Sequence, residues 1–391
     1  MSDAVVIIGS GLAGYNVARE LRKLDANVPL VVISRDHAGF YSKPMLSNAL
    51  ASKKTATTLV MKDAAKMAGE VNARVIGGAQ VSHIDTTAQA VHLSNGEVVA
   101  YRDLVLALGA DPIRLPLQGD AADTVLSVND LEDFARFSEA LDSGVQGGPV
   151  KRVVILGAGL IGCEFANDLL ARDIAPTVLD VAERALPRLL PPEASARLQD
   201  KLQAAGAQFR FGVGATAVDR ADGALRVTLS DGSTLDTDLV LSAIGLRPRT
   251  QLATEAGAQV GRGITVNRQL ATTVPHVYAV GDCAEVEGQL LPYVLPIMQQ
   301  ARALAATLAG KPTAVAYPAM PVAVKTPAWP TVVCPPPVDA AGQWVIVATD
   351  EALEARFVAE GNPEQLLGFA LQGKATTQRQ AMAALVPAIL A

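Results

Sequence analysis

The amino-acid sequence predicts an α/β fold with two nucleotide-binding domains, the second inserted in the first, and a small C-terminal α+β domain. One glycine fingerprint occurs twice, and two similar strands, each running into a glycine and then a proline, flank the second copy. From about Pro318 proline becomes frequent and alternating strands follow, which indicates a separate unit. These signals predict a first domain at residues 1–113 and 246–316, an inserted domain at 114–245 and a C-terminal domain at 317–391.

The first fingerprint follows a run of four β-branched residues, Val5–Ile8, and carries Gly9, Gly11 and Gly14 in the spacing G-x-G-x-x-G. The run predicts a strand buried on both faces, and the helix predicted over Leu12–Leu24 would direct its positive end at a pyrophosphate. The three glycines meet different demands: a tight turn, a close approach of the backbone to phosphates, and close packing of helix on strand. We therefore predict a Rossmann-like dinucleotide site. A glycine-rich turn of another α/β domain is the alternative for one copy alone.

A second copy of the fingerprint argues against the alternative of an unrelated glycine-rich turn. It repeats the β-branched run and the three glycines, now Gly157, Gly159 and Gly162. Two such sites in one enzyme usually hold a flavin and a nicotinamide nucleotide against each other. Asp180 closes the next strand at the distance where an acid binds both ribose hydroxyls and repels a 2′-phosphate, which favours NADH over NADPH. The nearby Arg184 makes the expected preference moderate.

Composition agrees with a soluble globular enzyme. The chain has 391 residues, an apolar fraction of 50% and a formal net charge of −6. The sequence has no cluster of Lys and Arg, so we expect no nucleic-acid partner and no membrane insertion. Three widely spaced cysteines argue against a disulfide scaffold and for a cytoplasmic location. The four histidines show no metal-binding spacing, so no metal is expected.

A lysine and a glutamate are predicted to meet where the two nucleotides join. Lys43 lies in FYSKPMLS, a stretch that Pro44 keeps irregular. Glu164 lies two residues after the last glycine of the second fingerprint, so it projects from the first helical turn toward the junction. We predict a charge-assisted Lys43–Glu164 pair beside the reactive ring edge. The alternatives are a solvated surface lysine and an acid that only stabilises the helix N-terminus.

Further residues of the first domain are candidates for contacts with the flavin nucleotide. The second strand ends in Ser34 and Arg35 rather than in the acid that usually binds the ribose, so these two residues are the candidates for the ribose or phosphate. Asp36 is the poorer candidate. The backbone amide of Val81 could reach the adenine. Asp282, at the end of another short strand, could bind the ribityl hydroxyls, and the alternative is an ordinary loop aspartate.

Five segments in order resemble the pyridine-nucleotide disulfide oxidoreductase superfamily, and within it the bacterial rubredoxin reductases of alkane-oxidising systems. The segments are FYSKPMLS, GAGLIGCEFANDL, DLVLSAIGLRPRT, VYAVGDCAEV and VKTPAWP, so the resemblance covers essentially the whole chain. The resemblance implies FAD lined by Gly9, Ser10, Gly11, Leu12, Ala13, Gly14, Ser34, Arg35, Lys43, Val81, Asp282 and Val294. It also implies that Glu164 pairs with Lys43 near the flavin and that Lys325 approaches the ring from the C-terminal domain. The missing ribose acid at Ser34, and Leu108 where relatives often have Thr, depart from the family pattern.

Many members of this superfamily reduce disulfides through a cysteine pair, and this chain has no cysteine near Lys43. We therefore expect electrons to pass from NADH through FAD to a separate protein carrier. The resemblance implies that the carrier is rubredoxin. We expect the chain to be a monomer or a homodimer. Ferredoxin, flavorubredoxin or nitrite reductase is an alternative acceptor. A redox-signalling flavoprotein is the alternative from a different class.

Overall fold

The chain opens with a strand, a helix and a second strand, followed by short helices and strands. In the computed structural model, which describes residues 3–144 and 148–391, these elements are β1 (Val5–Ile8), α1 (Leu12–Leu24), β2 (Leu30–Ile33), α2 (Ala56–Leu59), α3 (Ala64–Glu70), β3 (Arg74–Ile76), β4 (Val81–Asp85), β5 (Ala90–Leu93), β6 (Val98–Ala100), β7 (Asp103–Leu106) and β8 (Ala110–Pro112). Strands β7, β1, β2 and β3 are parallel neighbours, and β4, β5 and β6 form an antiparallel meander. Every residue of β1 is buried, as its β-branched run predicts. A 3-10 helix, Lys43–Asn48, lies between β2 and α2.

The next segment builds a second parallel sheet around the second fingerprint. Its elements are α4 (Leu131–Ser143), β9 (Arg152–Leu156), α5 (Leu160–Leu170), β10 (Ala175–Asp180), α6 (Pro192–Ala204), β11 (Gln208–Phe211), β12 (Ala215–Ala221), β13 (Ala224–Leu229), β14 (Thr234–Thr237) and β15 (Leu239–Ser242). The parallel sheet has the order β11-β10-β9-β15, and β12, β13 and β14 form an antiparallel meander. This is a second Rossmann-like unit, with its fingerprint between β9 and α5.

The chain then returns to the first sheet. The elements are β16 (Leu246–Pro248), α7 (Gln251–Glu255), β17 (Ile264–Val266), β18 (Val277–Ala279), β19 (Ala284–Val286) and α8 (Val294–Leu308). Strand β18 pairs in parallel with β7, so the first sheet has the order β18-β7-β1-β2-β3. Strands β8 and β16 pair with each other where the chain leaves the first domain and comes back. The second domain is therefore inserted in the first, as predicted, while the residue limits of the domains stay a prediction.

The last segment forms the predicted small α+β domain. Its elements are β20 (Val322–Val324), β21 (Thr331–Cys334), β22 (Gly342–Ala348), β23 (Ala352–Ala359), β24 (Asn362–Gly373) and α9 (Arg379–Ala383). The strands make one antiparallel sheet in the order β20-β21-β24-β23-β22. Within the two described ranges, no helix has the length and apolar character that crossing a bilayer requires.

One hydrophobic cluster joins all three domains and sets their relative positions. It contains Leu46 and Leu50 from the Lys43 segment, Phe165 from α5 and Trp329 from the C-terminal domain. All four side chains are buried. Each buried side chain of this size contributes about 1.5–3 kcal/mol by leaving water. The cluster therefore holds the Lys43 segment against the helix of the second fingerprint and against the last domain.

Candidate active site

A large cavity lies where the three domains meet. Its volume is about 1200 Å³, whereas pockets for drug-sized molecules range up to roughly 1000 Å³, so a dinucleotide has room. Of the residues predicted to hold nucleotides, those that line it are Gly9, Ser10, Gly11, Leu12, Ala13, Ser34, Arg35, Lys43, Val81, Glu164, Asp282, Val294 and Lys325. The predicted residues outside the lining are Gly14, Gly157, Gly159, Gly162 and Asp180. The cavity thus gathers the residues assigned to FAD, and the second fingerprint lies on the inserted domain beside it.

Packing within the protein requires two glycines of the first fingerprint but not the third. Gly9 has a φ of +117°, and a Cβ there would lie 2.2 Å from the Ala107 carbonyl oxygen. A Cβ on Gly14 would lie 1.9 Å from the Gly9 carbonyl oxygen, so helix packing requires this glycine. A Cβ on Gly11 would meet no protein atom within 4 Å, although Gly11 lines the cavity. Packing does not explain Gly11, and its predicted role, the close approach of the backbone to a pyrophosphate, stays a prediction.

Asp36, the poorer candidate for the ribose on sequence grounds, lies beside the first fingerprint. The carboxylate of Asp36 accepts hydrogen bonds from the Ser34 hydroxyl at 2.6 Å and the Ser10 hydroxyl at 3.2 Å. It also accepts the Ala38 amide at 2.9 Å, two residues further on, in an Asx turn. This turn brings Asp36 back to the fingerprint and into the cavity wall. Asp36 is therefore a better candidate than its position in the sequence indicated, and the ribose contacts of Ser34 and Arg35 stay predictions.

Glu164 pairs with Lys325, so the predicted Lys43–Glu164 ion pair is wrong. The Glu164 carboxylate accepts the Ser47 hydroxyl at 2.5 Å, the Lys325 backbone amide at 2.9 Å and the Lys325 ammonium. In the described part of the chain, Lys43 makes no ion pair with a carboxylate. The physical reason is the 3-10 helix, which turns Ser47 toward Glu164, while Lys325 occupies the remaining side of the carboxylate.

Lys43 instead faces the cavity among other charged groups. Burial lowers the pKa of the Lys43 ammonium, the nearby Arg249 lowers it further, and Asp282 opposes both. Burial also raises the pKa of Asp282, while Lys43 and Arg249 act against that rise. The loop that carries Asp282 is fixed because the Gly281 amide donates to the Gln300 side chain at 2.6 Å. The cavity thus offers an amine and a carboxyl group, each with a perturbed pKa, that a polar ligand could satisfy.

The second fingerprint repeats the geometry of the first. A Cβ on Gly162 would lie 1.9 Å from the Gly157 carbonyl oxygen, and a Cβ on Gly159 would meet nothing within 4 Å. The Asp180 carboxylate accepts the Ala158 amide at 2.6 Å and the Ala182 amide at 2.8 Å. These bonds fix the acid beside the glycine turn, where it can face a ribose. Its selection of NADH stays a prediction.

Sequence reasoning missed three polar side chains of this region. Ser47 follows Lys43 by four residues, a spacing that places both on one short helical segment, so this signal was available. Arg249 donates to the Asp111 carboxylate at 2.7 Å and to the Leu108 carbonyl at 2.8 Å. Asp168 binds backbone amides of the first domain. No local pattern marks these last two, because their partners lie more than 100 residues away in the chain.

One glycine fingerprint in the wall of the cavity, a second on the inserted domain beside it and Lys325 of the third domain define a reductase of the two-nucleotide class. Residues 3–306 match the family model for pyridine nucleotide-disulphide oxidoreductases, and residues 314–386 match the model for the rubredoxin binding C-terminal domain. The chain belongs to the pyridine nucleotide-disulphide oxidoreductase family. The predicted fold class and superfamily are confirmed, and FAD and NADH are its cofactors.

Relatives of known name are similar along the whole chain. A rubredoxin-NAD(+) reductase of Alcanivorax borkumensis is 47% identical over 387 residues, which are 99% of each chain. A rubredoxin-NAD(+) reductase of Acinetobacter baylyi is 46% identical over 99% of this chain and 98% of its own. Among solved structures, a ferredoxin reductase from Rhodopseudomonas palustris superposes with a TM-score of 0.88 at 27% identity, covering 99% of this chain and 96% of its own.

Proposed function

We propose that this chain is an NADH-dependent flavoprotein reductase that passes electrons through FAD to rubredoxin, in an electron-transfer chain that supplies an alkane hydroxylase. The similarity to two rubredoxin-NAD(+) reductases at 46–47% identity over the whole chain supports the acceptor. The match of residues 314–386 to a rubredoxin-binding domain supports it independently.

One observation carries this proposal more than any other. The C-terminal domain enters the wall of the nucleotide cavity through Lys325 and the strand that precedes it, Val322–Val324. The Lys325 ammonium is 27% exposed at its side chain, while its partner Glu164 is fully buried. A carrier bound to the C-terminal domain would therefore meet the flavin cavity at a lysine that both solvent and the cavity reach.

The residues of the chain have distinct tasks in this proposal. Bound FAD supplies a group that accepts a hydride from NADH and releases electrons one at a time. Lys43 provides positive charge in the cavity and stabilises an electron-rich ring, and Arg249 adds to that charge. Asp180 orients the adenosine ribose of NADH. Glu164 fixes Lys325 and Ser47, and so fixes the junction between the cavity and the last domain.

No cysteine of this chain is suited to carry electrons. Cys163, Cys283 and Cys334 are all free and buried. Burial raises the pKa of the Cys163 thiol to about 12 and that of the Cys283 thiol to about 11, so both stay protonated. A protonated, buried thiol is a poor nucleophile. The electrons are therefore expected to bypass the thiols, unlike in the disulfide reductases of the family.

The test is a two-step anaerobic reaction. The purified protein, expected to be yellow with one non-covalent FAD per chain, is reduced with NADH and then mixed with oxidised rubredoxin or with oxidised ferredoxin. We expect rapid oxidation by rubredoxin and slow oxidation by ferredoxin. Faster transfer to ferredoxin would mean that ferredoxin, rather than rubredoxin, is the acceptor. Absence of rapid transfer to any carrier, flavorubredoxin and nitrite reductase included, would favour the signalling flavoprotein.

The remaining expectations belong to the same proposal. The three free cysteines support the predicted cytoplasmic location. The expected absence of a metal and of a nucleic-acid partner, and the monomeric or homodimeric state, stay predictions.

A further inference from the structure

One face of helix α5 joins three parts of the chain through three buried polar side chains. Glu164, Asn167 and Asp168 are spaced i, i+3 and i+4, so they share a face. Each is at most 8% exposed. Glu164 lines the cavity, whereas Asn167 and Asp168 do not. The proposed function therefore assigns no role to Asn167 or Asp168. Burying a polar side chain is costly unless it makes hydrogen bonds, so the hydrogen-bond partners of these two residues indicate what they hold.

Asp168 fixes the segment that carries Lys43. Its two carboxylate oxygens accept the Leu50 amide at 3.0 Å and the Ala51 amide at 2.8 Å. These amides lie directly after the 3-10 helix Lys43–Asn48. Ser47, within that helix, donates to Glu164. The Lys43 segment is thus hydrogen-bonded to α5 at its middle through Ser47 and at its end through Asp168.

Asn167 fixes the turn that carries Lys325. Its side-chain oxygen accepts the Ala328 amide at 3.0 Å. The turn is stiff, because the Trp329 amide donates to the Thr326 carbonyl at 2.9 Å and the Thr326 hydroxyl donates to the Trp329 carbonyl at 2.9 Å. A stiff turn moves as one body, so the bond from Asn167 to Ala328 helps to set the position of Lys325, which Glu164 binds directly.

We propose that Asn167 and Asp168 are positioning residues with separate tasks. Asp168 holds Lys43 in place for electron entry from NADH, and Asn167 holds Lys325 in place for delivery to the protein carrier. This assignment rests on the proposed function. Adjacent residues can act separately here because the two segments they hold come from different domains and use different amides. Glu164, which binds both segments, is the shared member.

Two variants separate the tasks. Asp168→Asn keeps the size of the side chain but leaves one oxygen for two amide donors, and its own amino group opposes the second donor. Asn167→Ala removes the acceptor of the Ala328 amide. Each variant is the control for the other, and Asp200→Asn, at an exposed position of α6, controls for an isosteric change elsewhere in the domain. If a first variant does not fold, the test is repeated with Asp168→Ser or Asn167→Ser, because a serine side chain is too short to reach the amides.

The FAD-loaded proteins are compared in each half-reaction and by amide hydrogen exchange. We expect Asp168→Asn to slow anaerobic reduction by NADH about tenfold or more and to speed exchange at Leu50 and Ala51. We expect its rubredoxin Kd to stay within about twofold of the unmodified value. Asn167→Ala should weaken rubredoxin binding about tenfold and speed exchange at Ala328, with NADH reduction within about twofold.

The proposal is overturned if the two variants do not impair different half-reactions. If both variants slow both half-reactions equally, or if exchange changes while neither half-reaction does, the two side chains only stabilise the fold. Failure of the unmodified enzyme to reduce rubredoxin in the same series would instead overturn the proposed function.

A small oxidant provides a further control. Ferricyanide, which does not dock on the C-terminal domain, should oxidise reduced Asn167→Ala at the normal rate.

Discussion

The ammonium of Lys325, in the C-terminal domain, pairs with the carboxylate of Glu164 on α5, the helix that follows the second fingerprint. The Glu164 side chain is fully buried. A buried charge without its partner is strongly destabilising, because burial has already removed the water that would solvate it. This pair therefore connects the stability of the domain junction with the position of a lysine in the cavity wall.

Lys325→Met should destabilise the FAD-loaded protein by about 3 kcal/mol, since Glu164 would remain buried without its cation. The value lies at the low end of the usual range because Ser47 and the Lys325 backbone amide still donate to the carboxylate. Urea unfolding followed by circular dichroism measures the change, read from the midpoint at unchanged slope.

The matched control is Lys374→Met. Lys374 also pairs with a glutamate, Glu351, at 2.6 Å, but the two side chains are 72% and 68% exposed. Loss of an exposed pair costs less than about 1 kcal/mol. If the two variants lose the same stability, the Lys325–Glu164 pair has no special role in holding the domains together.

The pair also shows where sequence reasoning stops. The glycine turns, the strands before them and the inserted domain were predictable, because each depends on residues adjacent in the chain. Lys43 and Glu164 both line one cavity, yet the predicted ion-pair partner of Glu164 was wrong. The choice between Lys43 and Lys325 depends on how the last domain packs on α5, which no local pattern encodes. Asp36 reaches the fingerprint only through an Asx turn, which the end of the strand does not indicate.

Asp180→Ala should narrow the preference for NADH over NADPH. We expect the unmodified enzyme to prefer NADH by about 2 kcal/mol, because the carboxylate binds the ribose hydroxyls and repels a 2′-phosphate. This corresponds to roughly 30-fold in kcat/KM. Steady-state kinetics with both nucleotides and a fixed carrier concentration give the ratio before and after substitution.

Asp236→Ala serves as the control for that ratio. Asp236 lies in the same domain and pairs with Arg226 at the surface, with a side chain 47% exposed. Its removal should change neither kcat/KM value. Equal kcat/KM for NADH and NADPH in the unmodified enzyme would contradict the role assigned to Asp180.

Lys43→Met should make the flavin harder to reduce. Burial and Arg249 lower the pKa of the Lys43 ammonium, and Asp282 opposes that shift. In the protonated form Lys43 stabilises an electron-rich ring, so its removal takes positive charge from that ring. We expect a midpoint potential lower by about 30 mV, equivalent to about 1.4 kcal/mol for a two-electron couple. Anaerobic reduction by NADH should slow correspondingly. Spectroelectrochemistry and stopped-flow absorbance measure the two effects.

Lys54→Met is the comparison for Lys43→Met, since Lys54 is exposed and lies just beyond the same segment. It should leave the potential and the reduction rate unchanged. A normal potential and rate in Lys43→Met would mean that Lys43 contributes only to the structure of the cavity.

Alkylation of the native enzyme should leave rubredoxin reduction unchanged. Burial raises the pKa of Cys163 to about 12 and that of Cys283 and Cys334 to about 11. A raised pKa means less thiolate at a given pH, so at pH 8 roughly one thiol in a thousand or fewer is reactive even before access is considered. Iodoacetamide at pH 8 should therefore add no label by mass spectrometry and cause no loss of steady-state activity.

Unfolding provides the control. The same protein in guanidinium chloride should take up three labels, one for each cysteine. If a label on the native protein abolishes electron transfer while the circular dichroism spectrum stays native, one of these thiols lies on the electron path and the direct route from flavin to carrier is wrong.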